Sequence, residues 1–532
     1  MERVSPTLPD DVKTLQILVS SLYQTTQEQQ VQLGEQRAQI QRQSSLIDQL
    51  VEQIKLSRHK QFGTSSEKWA DQMRLFNEAE SIVDAEDSDK ESDAIEVPAH
   101  HRKRGGRKAL PPEIPRIDMV HELPESERIC AHDGAVLEVI GETTTEQLDI
   151  IPAQVRVIRH IRKKYACPCC DGTIKTASMP VQPIPKSLVS PGLLAYIIIC
   201  KYVDALPLYR QEQIFKRLGI ELSRANLARW VIQAGRLVQP LINLMWDRIL
   251  DYDIVAMDET TVQVLKEPGK APQSKSYIWV QRGGPPDESL VIYDYDPSRS
   301  QAVPLRLLEG YGGYLQTDGY AGYDPVGAQP GIIQVGCFAH ARRKFDEAIK
   351  GQSKKRKSTL AWRGMKFIQS LYGIERQFKD AKPQVRYEVR QEQAGPILKQ
   401  MREWLDQALP QVPPTTLTGK ALNYLHNQWP KLIRYLDDGR LRIDNNLVEN
   451  AIRPFVVGRK NWLFSDTVRG AHASANLYSL IETAKANGLE PYQYLRRVFT
   501  QLPTAQNVHE IEALLPCRVD LDNTENVKYT VG

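Results

Sequence analysis

The sequence predicts a multidomain α+β chain. It opens with a coiled coil, followed by a small zinc-ribbon-like β domain, a helical helix-turn-helix domain, and an α/β domain interrupted by a helical insertion. Three observations carry this reading: a heptad-spaced apolar seam near the start, cysteines beside short alternating runs, and later strand- and helix-length apolar runs bearing acids. At roughly 100–200 residues per domain, 532 residues make several domains.

Residues 10–57 hold the heptads, with Val12, Val19, Thr26, Leu33, Ile40, Ile47 and Ile54 at a, and Leu15, Leu22, Gln29, Gln36, Gln43 and Leu50 at d. β-branched residues at a with leucine at some d sites favour a parallel two-stranded coil, and glutamine at d weakens the middle of the seam. A homodimer or higher assembly is the expectation. An amphipathic helix packed on its own chain would show a wider apolar stripe.

Residues 58–115 read as a linker. Nine acids and one lysine lie between Glu78 and Glu96, too charged a run to build a core. A basic arm follows with Arg102, Lys103, Arg104, Arg107 and Lys108 around Gly105-Gly106. Such arms enter DNA minor grooves, and solvated linkers have the same composition. The net charge of +4 is therefore less informative than its segregation along the chain.

Within 116–184, Glu146–Ile151 and Val155–Arg162 alternate as strands do. Cys130 and His132 precede them, and Cys167-Pro-Cys-Cys170 follows. Cys130, His132, Cys167 and Cys170 would complete a tetrahedral Zn2+ shell, with Asp133 and Cys169 as competing ligands. Reduced structural cysteines and redox chemistry are the alternatives. The start of the chain has no basic, apolar leader, and no apolar run of about 18 residues occurs, so the expected setting is the cytoplasm, with no membrane partner.

Residues 185–250 read as helices. Leu208–Leu218, a break at Gly219, and a second helix capped by Ser223 make a helix-turn-helix, with Arg224, Asn226 and Arg229 placed to read a major groove. Any helical hairpin can carry such residues.

Residues 251–345 and 440–500 form the α/β domain. Strands are expected at Ile254–Leu265, Tyr277–Gln281, Leu290–Tyr293, Gly313–Asp318 and Ile332–Val335, with a helix from Phe338 to Lys350. Asp258 and Asp318 then lie on adjacent strands, and Glu449 lies on a helix. Strand, strand, helix is the order in which a ribonuclease-H-like sheet assembles metal-binding carboxylates. Two divalent ions about 3.5–4 Å apart stabilise the attacking and leaving oxygens of a phosphodiester. Mg2+ or Mn2+ suits sparse carboxylates. Asp251, Asp253, Glu259, Asp294, Asp296, Asp324 and Asp444 compete for the same role.

The insertion at 346–439 is helical. Arg342-Arg-Lys344 and Lys354-Lys-Arg-Lys357 give it a basic surface, while Arg453, Arg459 and Lys460 are candidate phosphate clamps. Trp462 reads as a base-stacking platform or a core residue.

The chain resembles the insertion-sequence-66 (IS66) family of bacterial transposases. The resemblance rests on Gln61-Phe-Gly-Thr-Ser-Ser-Glu-Lys68, Gly106-Arg-Lys-Ala-Leu-Pro111, Cys130-Ala-His-Asp-Gly134 and Lys201-Tyr-Val-Asp-Ala-Leu-Pro-Leu-Tyr-Arg210. It continues through Met257-Asp-Glu-Thr260, Thr317-Asp-Gly-Tyr320, Gly336-Cys-Phe-Ala-His-Ala-Arg-Arg-Lys-Phe345 and Asp444–Phe464. It implies an Asp-Asp-Glu transposase with Asp258, Asp318 and Glu449 in the motif positions, acting on terminal inverted repeats and target DNA. Two small accessory proteins usually accompany the family, and a bacterial nucleoid-bound setting is implied. In the 501–532 tail, Cys517 stands where the family usually has tryptophan. His340 falls in a matched motif without an assigned step and reads as a core or DNA-facing residue. The rival readings are a catalytically silent DNA-binding regulator and a structure-selective nuclease.

Overall fold

The computed structural model describes residues 11–62, 118, 154–166, 174–351, 359–519 and 521. The expected zinc ligands Cys130, His132, Cys167 and Cys170, their competitors Asp133 and Cys169, the arm residues Arg104, Arg107 and Lys108, the run Glu146–Ile151 and the Lys354–Lys357 cluster lie outside those residues.

Helix α1 runs unbroken from Val12 to Phe62. Asp11 caps it by accepting the Thr14 amide at 3.1 Å. Of the apolar a and d side chains, Val12, Val19, Leu22, Leu33, Ile40, Ile47, Leu50 and Ile54 are exposed and Leu15 is half-buried. Near its end the helix meets the rest of the protein: Leu56 is buried, and Glu52 Oε2 accepts the Leu417 amide at 3.1 Å.

Two short strands follow, β1 (Lys164–Ala166) and β2 (Ile174–Thr176), antiparallel with Lys164 opposite Thr176. The expected strand at Val155–Arg162 is not formed: the segment joins no ladder, and Val157 is 94% exposed. Alternation gives a run two faces, but a strand also needs a partner for its backbone groups. Among the described residues that pairing belongs to the segments on either side of 167–173.

Four helices come next: α2 (Pro191–Tyr202), α3 (Leu208–Arg217), α4 (Arg224–Leu237) and α5 (Gln239–Ile249). Between α3 and α4, Gly219 takes φ +78°, a conformation that favours glycine. Ser223 Oγ then accepts the Asn226 amide at 3.3 Å, capping α4. Leu227, Trp230, Val231 and Ala234 turn the inner face of α4 into the same core as the sheet.

That sheet has the order β5-β4-β3-β6-β7, comprising β3 (Ile254–Lys266), β4 (Lys275–Gly283), β5 (Leu290–Asp296), β6 (Gly313–Gln316) and β7 (Ile332–Val335). β3, β4 and β5 form an antiparallel meander, and β6 and β7 add in parallel beyond β3 after the short helix α6 (Ala302–Leu307). The structure is a mixed helix-and-sheet fold with a helical N-terminus.

Helix α7 (Phe338–Gly351) leaves β7 and enters the insertion, where α8 (Leu360–Gln377), α9 (Gly395–Ala408) and α10 (Leu417–Leu432) pack on it. Phe345, Ile368, Met401, Trp404 and Leu425 are part of this second core, which also takes in Val335 of β7. The chain returns through α11 (Asn446–Trp462) to a short strand, β8 (Ser465–Thr467), which pairs with the far end of β3.

Helix α12 (Val468–Ala486) covers β5, the outermost strand. The amides of Val291 and Tyr293 donate to Thr483 Oγ1 at 2.9 Å and Ser479 Oγ at 2.8 Å. Thr483 also donates back to the Val291 carbonyl at 2.9 Å, so its hydroxyl replaces a neighbouring strand. After α13 (Pro491–Gln501) the tail is packed: Tyr494 donates to the Leu514 carbonyl at 3.0 Å, and Arg248 Nη1 donates to Cys517 Sγ at 3.2 Å. Among the described residues no helix is long and apolar enough to cross a membrane.

Candidate active site

Strand register places the first two acids. Ala256 of β3 pairs in parallel with Gln316, the last residue of β6, so Asp258 lies two residues farther along β3 while Asp318 stands two residues beyond β6, where the strand expected over Gly313–Asp318 has already ended. Adjacent strands lie about 4.8 Å apart. Asp258 Oδ1 accepts the Glu259 amide and Asp318 Oδ1 the Tyr320 amide, both at 2.8 Å.

The third acid arrives from the far side of the insertion. Gln316 Nε2 donates to the Arg442 carbonyl at 2.8 Å, and the Phe338 amide donates to the Ile443 carbonyl at 3.0 Å. Asn445 Nδ2 donates to the Met257 carbonyl at 3.1 Å, and Arg282 Nη1 to the Leu447 carbonyl at 3.3 Å. These bonds fix the first turn of α11 against β3 and β4, and Glu449 lies in that turn.

The acids influence one another. Burial drives the Asp258 carboxyl well above its ordinary pKa, and Glu259, Asp318 and Glu449 push it further. Burial also raises Glu449; Arg343 opposes that, and Asp444 and Asp318 add to it. Enclosed carboxylates that repel one another are an arrangement a divalent cation relieves. His340 Nδ1 and Asn445 Oδ1 are buried without a hydrogen-bond partner among the described residues. Hard oxygen donors with spare polar atoms nearby fit a partly hydrated Mg2+ or Mn2+.

Most of the competing acids are engaged elsewhere. Glu259, its side chain 2% exposed, binds Arg299 and accepts Tyr323 OH at 2.5 Å. Asp253 pairs with Arg440, Asp294 and Asp296 with Arg306, and Asp324 with Lys431. Asp444 accepts Tyr372 OH at 2.9 Å, and Asp251 is exposed in a turn.

Comparison with known proteins matches residues 186–473 to the Transposase IS66 family, more than half of the chain. The chain belongs to the IS66 transposase family. Three further family descriptions match: the zinc-finger binding domain of transposase IS66 at 127–171, the IS66 C-terminal element at 479–517, and Transposase C of IS166 homeodomain at 49–119. Relatives include two uncharacterized proteins of Sinorhizobium fredii (strain NBRC 101917 / NGR234). One, y4qI, is 32% identical over 96% of this chain and 97% of its own length. The other, y4jD, is 33% identical over 76% of this chain and 81% of its own. Membership makes the chain a transposase-family protein with DNA-binding modules, and it implies divalent metal and zinc.

The remaining candidate residues of this IS66 chain are dispersed. Arg224 and Arg229 are exposed on α4, and Arg229 Nη1 donates to Asn226 Oδ1 at 3.3 Å. Arg453 lies one turn beyond Glu449 and Lys460 is exposed near the end of α11. Arg459 Nη1 turns inward to Thr260 and Thr261 of β3, fastening helix to strand. Trp462 packs edge-on against Phe455, with Lys201 Nζ 5.2 Å from its ring centre. On α7, Arg343 is exposed, while Arg342 lies over Tyr372 and Lys344 over Tyr424.

Three residues beside the acids were not singled out for a site role from sequence. Asn445 positions α11, Cys337 Sγ accepts the Asn445 amide at 3.2 Å, and His340 Nδ1 lies 3.8 Å from Glu449 Oε1. Cys337 and His340 fall in the matched stretch Gly336–Phe345 and Asn445 in Asp444–Phe464, which are the sequence signals that could have found them.

Proposed function

We propose that the protein is a DNA transposase that binds the terminal inverted repeats of its element and carries out metal-dependent cleavage and strand transfer through Asp258, Asp318 and Glu449. The observation that supports this reading is the Ala256–Gln316 pair, which Asp258 and Asp318 each follow by two residues, together with the Asn445–Met257 bond that ties the entry of the Glu449 helix to β3. We read the meander plus two parallel strands as a ribonuclease-H-like sheet.

Asp258, Asp318 and Glu449 would hold the ions, which when bound supply charge stabilisation to the attacking and leaving oxygens. The protein's part is placement. β3 and the segment just after β6 carry two carboxylates, α11 supplies the third, and Arg343 and Arg453 offer positive charge to the phosphate backbone around them. Water cuts the strand at the element end, and the released 3′ hydroxyl then attacks target DNA at the same site, with no covalent enzyme intermediate.

End recognition falls to α3 and α4, with Arg224, Asn226 and Arg229 toward the groove and Arg104, Arg107 and Lys108 of the arm as further contacts. Lys460 adds a backbone contact, whereas the inward bonds of Arg459 favour a positioning role. Cys130, His132, Cys167 and Cys170 would hold structural Zn2+; β1 and β2 bracket the last two in sequence, as the strands of a ribbon do. The exposed seam of α1 supports a homodimer or higher assembly. Two small element-encoded proteins and a bacterial cytoplasmic, nucleoid-bound setting complete the proposal.

The test is an assay with labelled terminal-repeat DNA, a target plasmid and Mg2+. Binding, nicking and joined products are expected. Binding alone would support a silent regulator, and cleavage of branched DNA without joining would support a nuclease.

A further inference from the structure

His340 and Glu449 are far apart in sequence, yet the fold sets them against each other. The Phe338–Ile443 backbone bond and the Asn445–Cys337 bond join the start of α7 to the entry of α11. His340 Nδ1 then lies 3.8 Å from Glu449 Oε1, too far for a hydrogen bond. The ring nitrogen is buried and has no hydrogen-bond partner among the described residues. One ion with ligand bonds of about 2.1 Å spans such a gap.

Cys337, His340 and Glu449 offer ligand atoms within 4.8 Å of one another. The thiol is the least suited of the three: it is fully buried and its sulfur already accepts the Asn445 amide at 3.2 Å. That leaves one nitrogen and one carboxylate facing each other. Asp318, Arg343 and Lys344 also act on His340, and Asp444, Asp318, Arg343 and Arg453 act on Glu449.

We propose that His340 Nδ1 is a ligand of the cation held by Glu449, making this half of the site a mixed nitrogen–oxygen position that takes Mn2+ in preference to Mg2+. The inference rests on the reading of Asp258, Asp318 and Glu449 as cation ligands. Mg2+ favours all-oxygen surroundings, whereas an imidazole adds affinity for transition ions. The histidine thus helps to decide which ion the carboxylates share.

The experiment uses the full-length, zinc-loaded protein, titrated separately with Mn2+ and Mg2+ by calorimetry, with pulsed electron paramagnetic resonance of the Mn2+-loaded form. The wild type is expected to show coupling of the Mn2+ spin to a directly bound nitrogen. His340→Ala should remove that coupling and weaken Mn2+ binding at least about tenfold, with Mg2+ affinity changed less than about twofold. Cys337→Ser should keep both the coupling and the Mn2+ affinity. Absence of nitrogen coupling in the wild type, a readout that needs no variant, overturns the proposal, as does unchanged Mn2+ affinity in His340→Ala. If Asp258→Asn and Glu449→Gln abolish Mn2+ binding while His340→Ala does not alter it, the histidine claim alone fails. If those two variants bind Mn2+ normally, the carboxylate reading itself fails.

Discussion

Asn445 donates its side-chain amide to the carbonyl of Met257 at 3.1 Å, tying the entry of the Glu449 helix to the residue just before Asp258. Asn445 is 1% exposed, so the bond is shielded from water. Replacing it with Leu leaves the Met257 carbonyl without that partner, at about 1–3 kcal/mol of stability. The loss of strand cleavage should exceed what this destabilisation accounts for, because Glu449 shifts. Urea unfolding alongside cleavage rates measured well below the unfolding midpoint separates the two effects.

Arg390 organises the approach to the same helix. Its guanidinium binds both Glu375 oxygens at 2.7 Å and donates to the carbonyls of Tyr435, Asp438 and Leu441, each at 2.8 Å. Arg390→Ala leaves Glu375 with Arg386 as its remaining partner and removes a donor from the Tyr435, Asp438 and Leu441 carbonyls, a loss of at least about 1–3 kcal/mol. Burial raises the Glu375 carboxyl, but Arg390 and Arg386 outweigh it and hold the pKa below the ordinary value. That stabilisation is present above the unfolded pKa and is lost as pH falls through the lower folded one. Glu375→Gln should flatten this acid limb in denaturant melts taken at successive pH values.

The site acids give the opposite slope. Asp258 and Glu449 have folded pKa values raised above their ordinary ones, so the folded chain holds these protons more tightly than the unfolded chain. Their contribution is complete below the unfolded pKa and is lost as pH rises through the folded values. Mg2+ should therefore raise the melting temperature more at pH 8 than at pH 5. Asp258→Asn should remove much of that difference, whereas an equal Mg2+ effect at both pH values would count against cation binding by these acids.

The covered edge of β5 offers a stability test remote from the acids. Thr483→Val keeps the shape but removes the hydroxyl that accepts from the Val291 amide and donates to its carbonyl. A loss of about 1–3 kcal/mol is expected in urea melts, with terminal-repeat binding retained.

Five strands of the sheet, β3 to β7, were legible because each has its own apolar run bounded by a break; β8, the polar Ser465–Thr467, has none and was not expected. The run at Ile332–Val335 is a strand over those residues, and the run from Ile254 continues one residue past its expected end to Lys266. Val155–Arg162 misled because its alternation matched a strand while no partner segment was visible in the sequence. Topology alone suggests neighbouring strands for Asp258 and Asp318, but β6 ends at Gln316 rather than at Asp318, whose carboxylate instead accepts the Tyr320 amide just past the strand. The nearness of His340 to Glu449 could not be read from topology, because it depends on how the insertion returns the chain through the Ile443 and Asn445 bonds. Arg459 had the composition of a phosphate clamp, but its inward direction is set by Thr260 and Thr261 across the helix–strand contact.

The most direct measurement is anomalous scattering from crystals of the protein bound to terminal-repeat DNA and soaked in Mn2+. Two peaks about 3.5–4 Å apart, contacted by Asp258, Asp318 and Glu449 and lying against the scissile phosphate, are the expected result. Mn2+ peaks found only away from these three carboxylates, with cleavage still proceeding in Asp258→Asn, would contradict the account.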